Sequence, residues 1–375
     1  MGYLSLFVLS AGLAMLFLTA EGSLAQNSPG DFNQVASAAS AAREQQDIPR
    51  AIELYQRAVR LHGDWAEGWW YLGTLRYGVN NYTSAVEALS HYIELTPNAG
   101  PAYALRGLCE FELGSYQESL HDLQHGISLG AANNPRNAGI ISYHEAILLT
   151  KLDRFEEALA KYSVIVKHGN VNTDVTNGIG LAVLRMPMFP SDIHPSQQGL
   201  VLAAGQAAAK VMSGDMPGAA RAFTDLFERY PNTPNLHYSY GYLLSSVDQE
   251  QAILQLRKEL DISPSSAIVH SMLAWALGMQ GEFAAALPNA QKAAEEEPSL
   301  PMAQLALGKD LIETGDIQGG LPHIEAVLKG DPNNLEAHLA LAKAYSKLGQ
   351  RDDARRERLL CLKLSGQGTA ANENL

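Results

Sequence analysis

A pattern that repeats with a period of about 34 residues constrains the fold of this chain more than any other feature. In the second half it is marked by four prolines at nearly equal spacing: Pro231, Pro264, Pro298 and Pro332. The best-preserved copy, residues 66–99, contains two short amphipathic helical patterns, joined by a turn at residues 79–82 and ended by Pro97. A helical hairpin of this size cannot bury its own apolar faces, so the copies must stack on one another.

The spacing of apolar and small residues within the copy predicts an all-α fold. Trp69, Leu72 and Gly73 share one face of the first predicted helix, and Ala85 and Leu89 share one face of the second. Glycines that allow a positive φ in the turns between helices are predicted at Gly214, Gly281, Gly315 and Gly349. Small residues that let a first helix approach its neighbour closely are predicted at Gly241, Ala274, Gly308 and Ala342.

The same frame divides the chain along its length. It predicts a signal peptide (1–25), a linker (26–31), four repeats (32–172), a truncated repeat (173–199), five repeats (200–364) and a disordered polar tail (365–375). In the truncated repeat, one predicted helix is followed by a loop with three prolines. Such a loop cannot form the second helix of the pair.

Two copies show the repeat most completely. The copy at residues 66–99 has Trp69, Leu72, Gly73, Ala85, Leu89 and Pro97, and the seventh repeat has Leu273, Ala274, Ala286, Ala293 and Pro298. This pattern resembles the tetratricopeptide repeat, in which an aromatic residue, Leu-Gly, Ala, a second aromatic residue, Ala and Pro recur in that order once per repeat. The resemblance implies antiparallel helix pairs stacked into a right-handed superhelical solenoid, with the first helices lining a concave groove. It also implies, by analogy with the family, a role in binding other proteins or in assembling complexes.

Helical spacing then identifies the first-helix residues that we expect to face this groove. Most are aromatic, and we predict that they bind a protein or peptide partner: Trp70, Tyr77, Leu108, Phe111, Tyr143, Tyr238, Tyr242 and Trp275. The predicted groove also includes Ile147, and it ends toward the C-terminus in Lys309, Lys343 and Lys347. The alternative is that several of these rings pack against the next helix.

The loop at residues 186–195 has two interpretations. Met186, Met188 and Phe189 lie among prolines, where apolar side chains must be covered by something. They either fill the gap left by the missing helix or form a lid or docking loop.

Composition and motifs argue against several other functions. A formal charge of −13 and a pI near 5.3 disfavour a nucleic-acid surface, which needs a basic patch. Cys109 and Cys361 fall on apolar helical positions many repeats apart, so we predict two small core residues and no disulfide. His121 and His125 are one helical turn apart but lack a third metal ligand. We predict no catalytic residues, no metal site and no cofactor.

The N-terminal stretch indicates where the chain functions. Residues 1–20 carry no charged side chain, and Ser23-Leu24-Ala25 is a small-x-small cleavage pattern. This predicts a signal peptide cut after Ala25 and a periplasmic or extracellular protein. Alternatively, residues 3–20 are not removed and anchor the chain in the inner membrane.

Together these features predict an exported, non-enzymatic repeat scaffold that binds protein or peptide partners and no nucleic acid. Membrane contact is expected only if the N-terminal segment is not cleaved. One alternative is a membrane-anchored assembly or biogenesis factor with an uncleaved N-terminal helix. Another is a ligand sensor or enzyme accessory that uses residues 173–199.

Overall fold

A computed structural model of the chain describes residues 29–366. At residues 29–30 and 135–136 it describes the backbone but not the side chains. The predicted signal peptide, the start of the predicted linker (26–28) and most of the predicted tail (367–375) lie outside the described residues. Every regular element in the described part of the chain is helical, which confirms the predicted all-α class.

Residues 29–366 contain nineteen α-helices and two short 3-10 helices, Ala131–Asn133 and Pro190–Asp192. The helices of the first half are α1 (Pro29–Glu44), α2 (Ile48–Leu61), α3 (Ala66–Gly78), α4 (Tyr82–Leu95), α5 (Gly100–Glu112), α6 (Tyr116–Ser128), α7 (Pro135–Lys151), α8 (Phe155–Lys167) and α9 (Thr173–Val183). Those of the second half are α10 (Gln198–Ser213), α11 (Met216–Arg229), α12 (Leu236–Leu244), α13 (Gln249–Ile262), α14 (Ala267–Met279), α15 (Phe283–Glu296), α16 (Pro301–Thr314), α17 (Ile317–Gly330), α18 (Leu335–Lys347) and α19 (Arg351–Leu364).

Consecutive helices pack as pairs, from α1 with α2 to α7 with α8, and again from α10 with α11 to α18 with α19. The helix α9 is followed in the chain by a loop that contains only the short helix Pro190–Asp192. The described chain forms two compact units. The N-terminal unit comprises residues 29–178 and 187–189, and the C-terminal unit comprises residues 179–186 and 190–366.

In eight of the nine helix pairs of residues 29–366, the turn has one residue with a positive φ two positions before the second helix; the α12–α13 turn has none. Gly214, Gly281, Gly315 and Gly349 have φ values of 84°, 79°, 107° and 75°, as predicted. Three earlier turns use residues that carry a side chain at this position, with φ between 58° and 60°: Gln46, Asn80 and Asp153. The next residue of the turn often caps the second helix. Thus Asn81 Oδ1 accepts a hydrogen bond from the backbone N–H of Ser84 at 3.3 Å, and Asp316 Oδ1 accepts one from Gly319 at 2.9 Å.

Glycines let the two helices of a pair approach closely. A Cβ added at Gly73 would lie 2.8 Å from Leu89 Cγ, and one added at Gly308 would lie 2.6 Å from Ile324 Cδ1. At Gly241 it would lie 3.0 Å from the carbonyl oxygen of Ala252. The close approach predicted at Gly241 and Gly308 is therefore confirmed.

The first helix begins earlier than the sequence predicted. Residues 29–31 were predicted to belong to a linker, but α1 begins at Pro29. A proline in the first helical turn loses no intrahelical hydrogen bond, and Asp31 places a negative charge near the positive end of the helix dipole. Among the helices of residues 29–366, none is both long enough and apolar enough to cross a membrane.

Candidate partner-binding surface

In the N-terminal unit, the predicted residues Trp70 and Tyr77 lie on α3 and are half-buried. The Trp70 ring centroid is 5.4 Å from that of Tyr92 on α4, and the Tyr77 ring centroid is 5.8 Å from that of Tyr82. Both rings pack against a small core formed by Ala85, Leu89, Leu105 and Cys109. Burial raises the pKa of Tyr77 to about 12, so its hydroxyl stays neutral. Each ring thus covers the core with one side and keeps another side near the surface.

Tyr77 and Tyr82 have counterparts one repeat further along the chain, in Phe111 and Tyr116. We call Tyr77 with Tyr82 the first aromatic corner, and Phe111 with Tyr116 the second. In both, a residue near the end of the first helix meets the first residue of the second helix. The interplanar angles are 61° and 58°, at centroid distances of 5.8 Å and 6.0 Å. The repeat therefore builds the same aromatic arrangement twice.

The second aromatic corner holds a residue from the irregular loop. The ring of Phe189 meets Phe111 at 5.2 Å and 69°, and meets Tyr116 at 5.1 Å and 68°. Lys151 Nζ, at the end of α7, lies 5.5 Å from the centroid of the same ring. It also donates a hydrogen bond of 3.3 Å to the carbonyl oxygen of Pro187. Residues 187–189 accordingly belong to the N-terminal unit.

The surface continues on α7 with Tyr143 and His144. The His144 ring is 5.0 Å from Phe111 in an edge-on arrangement, and the Tyr143 ring is 5.8 Å from His144. His144 Nδ1 lies 2.8 Å from the carbonyl oxygen of Ile140. Burial lowers the pKa of His144, which favours a neutral imidazole beside these rings. Two of the predicted residues, Phe111 and Tyr143, therefore both lie next to His144, which the sequence analysis did not select.

In the C-terminal unit, the predicted residues Tyr242 and Trp275 are half-buried. Both pack against a core that includes Leu256, Met272 and Leu277. One side of each ring is thus used in packing, and the remainder is accessible.

Three residues predicted to face the groove are instead buried. Leu108 is 3% exposed and Ile147 is 4% exposed, because neighbouring helices pack against α5 and α7 on several sides. Tyr238 is 1% exposed. Asn235 has a φ of 68° and α12 begins at Leu236. Tyr238 belongs to the core of the C-terminal unit, and the Arg185 guanidinium lies 5.3 Å from its ring centroid. The prediction of these residues as groove contacts was wrong.

Sequence models of the tetratricopeptide repeat match residues 37–99, 72–124 and 311–357. These segments lie within α1–α6 and within α16–α19. The chain contains tetratricopeptide repeats. A search of curated proteins finds no significant sequence match.

Several solved structures overlap with part of this chain. A crystal structure of MamA is 23% identical, covers 44% of this chain and 96% of its own, and has a TM-score of 0.38. YrrB, described as a TPR protein with an unusual peptide-binding site, is 18% identical, covers 46% of this chain and 91% of its own, and also has a TM-score of 0.38. The tetratricopeptide repeats are identified by the sequence-model matches alone, and these partial overlaps carry no argument.

The lysines predicted at the end of the groove are all used inside the C-terminal unit of this repeat protein. Lys309 Nζ lies 2.6 Å from Glu336, and Lys343 pairs with Glu313. Lys347 Nζ lies 3.3 Å from Glu313 and donates a hydrogen bond of 2.6 Å to the carbonyl oxygen of Ile312. These cations link neighbouring repeats, and each is paired with a glutamate, Glu313 being shared by Lys343 and Lys347.

The sequence analysis missed a polar contact that recurs in the later tetratricopeptide repeats. The residue six positions after a repeat proline bonds across to a side chain of the second helix, and in three repeats it also bonds back to the proline carbonyl. His270 Nε2 lies 3.0 Å from the Pro264 oxygen and its Nδ1 lies 3.1 Å from Asn289. Three other residues take the same position with a partner on the second helix: His237, Gln304 and His338. The regular spacing of these residues after proline was the signal that could have revealed them.

The cysteines and the histidine pair considered in the sequence analysis lie outside the aromatic corners. Cys109 and Cys361 are buried free thiols, as predicted for core residues, and burial raises the pKa of Cys109 to about 12. His121 and His125 stack at 6.2 Å on the exposed side of α6. Within residues 29–366, no group of three histidine, cysteine or acidic residues is placed to hold a metal ion.

Proposed function

We propose that the protein is an exported, non-enzymatic scaffold that binds a protein or peptide partner on the first helices of its repeats. The observation that carries this proposal is the partial exposure of four predicted rings on successive first helices of the N-terminal unit: Trp70, Tyr77, Phe111 and Tyr143. Aromatic side chains bury much area at little entropic cost, and they are enriched among the residues that dominate protein interfaces. Tyr242 and Trp275 form a separate candidate surface in the C-terminal unit.

The proposed export depends on the sequence of residues 1–25, in which an apolar run precedes a small-x-small site ending at Ala25. The second candidate is an anchored assembly factor, favoured by the length of the uncharged run in residues 1–20. N-terminal sequencing of the protein purified from its native host separates them. Export with cleavage predicts Gln26 as the first residue, and an uncleaved anchor predicts Met1.

The partner surface is tested with a double variant, Trp70→Ala with Tyr77→Ala, and a matched control, Val164→Ala. Val164 is 52% exposed and lies on α8, a second helix of the same unit rather than a first helix. Each full chain is expressed in the native host and crosslinked, and the captured proteins are quantified by mass spectrometry. We expect the double variant to lose at least about 90% of the partner captured by the wild type, because aromatic anchors of this kind carry most of the binding energy.

The control variant is expected to capture the same partner in unchanged amount. Circular dichroism and thermal melting confirm that both chains are folded. Unchanged capture by a folded Trp70→Ala, Tyr77→Ala chain contradicts the proposal.

A further inference from the structure

The segment that enters the second aromatic corner has the sequence of a preformed extended peptide. Pro187 and Pro190 enclose Met188 and Phe189. A proline disfavours the helical conformation of the residue before it, so Met186 and Phe189 are biased toward extended backbone. Segments with the Pro-x-x-Pro pattern lose little entropy on binding, and aromatic-lined grooves recognise them.

The second aromatic corner holds this segment as a receptor would hold a peptide ligand. Phe111 and Tyr116 both meet the Phe189 ring edge-on, a favourable geometry for aromatic pairs. Lys151 binds the ring and the backbone together, through its position near the Phe189 ring and its hydrogen bond to the Pro187 carbonyl. One ring and one backbone carbonyl of the segment are thus recognised by residues of α5, α6 and α7.

Two observations distinguish this segment from a core plug. First, Phe189 and Met188 remain partly exposed and Pro187 is exposed, whereas true core rings of the N-terminal unit, such as Tyr55 and Tyr162, are 0% exposed. Second, the first aromatic corner has nearly the same ring distance and angle as the second, although Phe189 lies in the second. The corner therefore forms from the repeat itself and does not need the loop to shape it.

We propose that the second aromatic corner is a peptide-binding site and that residues 187–189 are its internal ligand. A partner that presents an extended segment with an aromatic residue between prolines would displace them. The proposal rests on the proposed function, because it names the kind of partner that the first-helix surface takes. A tethered segment competes at high effective concentration. The apparent affinity for a partner is therefore the intrinsic affinity multiplied by the fraction of time that the site is free of the segment.

The test uses a fluorescent synthetic peptide with the sequence of residues 185–192, RMPMFPSD, titrated into full-length mature protein. The wild type, a Phe189→Ala variant and a Phe189→Ala, Phe111→Ala variant are compared by fluorescence anisotropy. We expect Phe189→Ala to bind the peptide at least about tenfold more tightly than the wild type, because the competing ring is gone. The additional Phe111→Ala change should abolish binding, and a control peptide with alanine in place of phenylalanine should not bind to any of the three.

A thermal melt of Phe189→Ala with and without the peptide covers the case in which this variant is destabilised. If the loop is an internal ligand, the peptide binds and raises the melting temperature toward the wild-type value. If the variant neither binds the peptide nor regains stability, the segment is a structural plug and the proposal is wrong. Should native partner capture still depend on Trp70 and Tyr77 in that case, the proposed function stands without the internal ligand.

Discussion

At the scale of single residues, the carboxyl group of Asp310 on α16 is buried at 3% exposure, and its Oδ2 accepts no hydrogen bond within residues 29–366. Burial raises its pKa to about 7. Because the folded pKa lies above the unfolded one, the folded state binds the proton more tightly. The stability associated with the protonated acid is therefore present at low pH and lost as the pH rises through about 7.

We expect Asp310→Asn to stabilise the protein at alkaline pH, since the amide resembles the neutral acid and cannot ionise. Urea unfolding should show a gain of roughly 1–3 kcal/mol near pH 8 and little change near pH 3, where the carboxyl is protonated in both the folded and the unfolded state. Glu295→Gln, at an exposed position on α15, is the matched control and should change neither value. An equal gain at both pH values would mean that ionisation of Asp310 is not the cause.

At the scale of helices, the contact of α3 with α4 depends on the absence of a side chain at Gly73. An added Cβ would lie 2.8 Å from Leu89 Cγ, whereas at Gly78 on the same helix an added Cβ meets nothing within 4 Å. We expect Gly73→Ala to lower the free energy of unfolding by about 1–3 kcal/mol through overpacking. Gly78→Ala should leave stability unchanged or raise it by up to about 1 kcal/mol, because alanine is the better helix former. Urea denaturation of both variants checks the prediction, and an equal effect at the two positions would contradict it.

Much of the helical architecture could be predicted because the repeat is periodic. The positions of Gly241 and Gly308 and the positive φ of Gly214 follow from small residues recurring at fixed offsets. The turns at Gln46 and Asn80 could not be predicted in this way, since their left-handed conformation is imposed by the helices on either side rather than by a glycine.

The binding surface was less predictable than the helices. Helical spacing tells which side of a helix a residue occupies, but not how far neighbouring helices cover it. Leu108 was therefore wrongly assigned to the groove, although its spacing is as suitable as that of Phe111. The contact of Phe189 with the second aromatic corner joins distant parts of the sequence through an irregular loop, and no repeat period encodes such a contact.

At the scale of the whole molecule, the described chain presents two compact units built from the same repeat, each with its own set of half-buried rings. Stability in such proteins comes from each repeat and its nearest neighbours, so surface residues are free to vary with the partner. The formal net charge of the full sequence is −13, which repels polyanions. It therefore favours a partner that binds to the aromatic rings over a polyanionic partner. The central claim is therefore that the first-helix rings contact the partner directly.

Site-specific photo-crosslinking in the native host tests this claim most directly. A photoreactive phenylalanine analogue is placed at Tyr77 in one chain and at Val164 on α8 in another, and each adduct is identified by mass spectrometry. The account predicts an abundant adduct with one defined protein or peptide from position 77 and none with that partner from position 164. Equal adducts from both positions, or an adduct with that partner from position 164 alone, would contradict it.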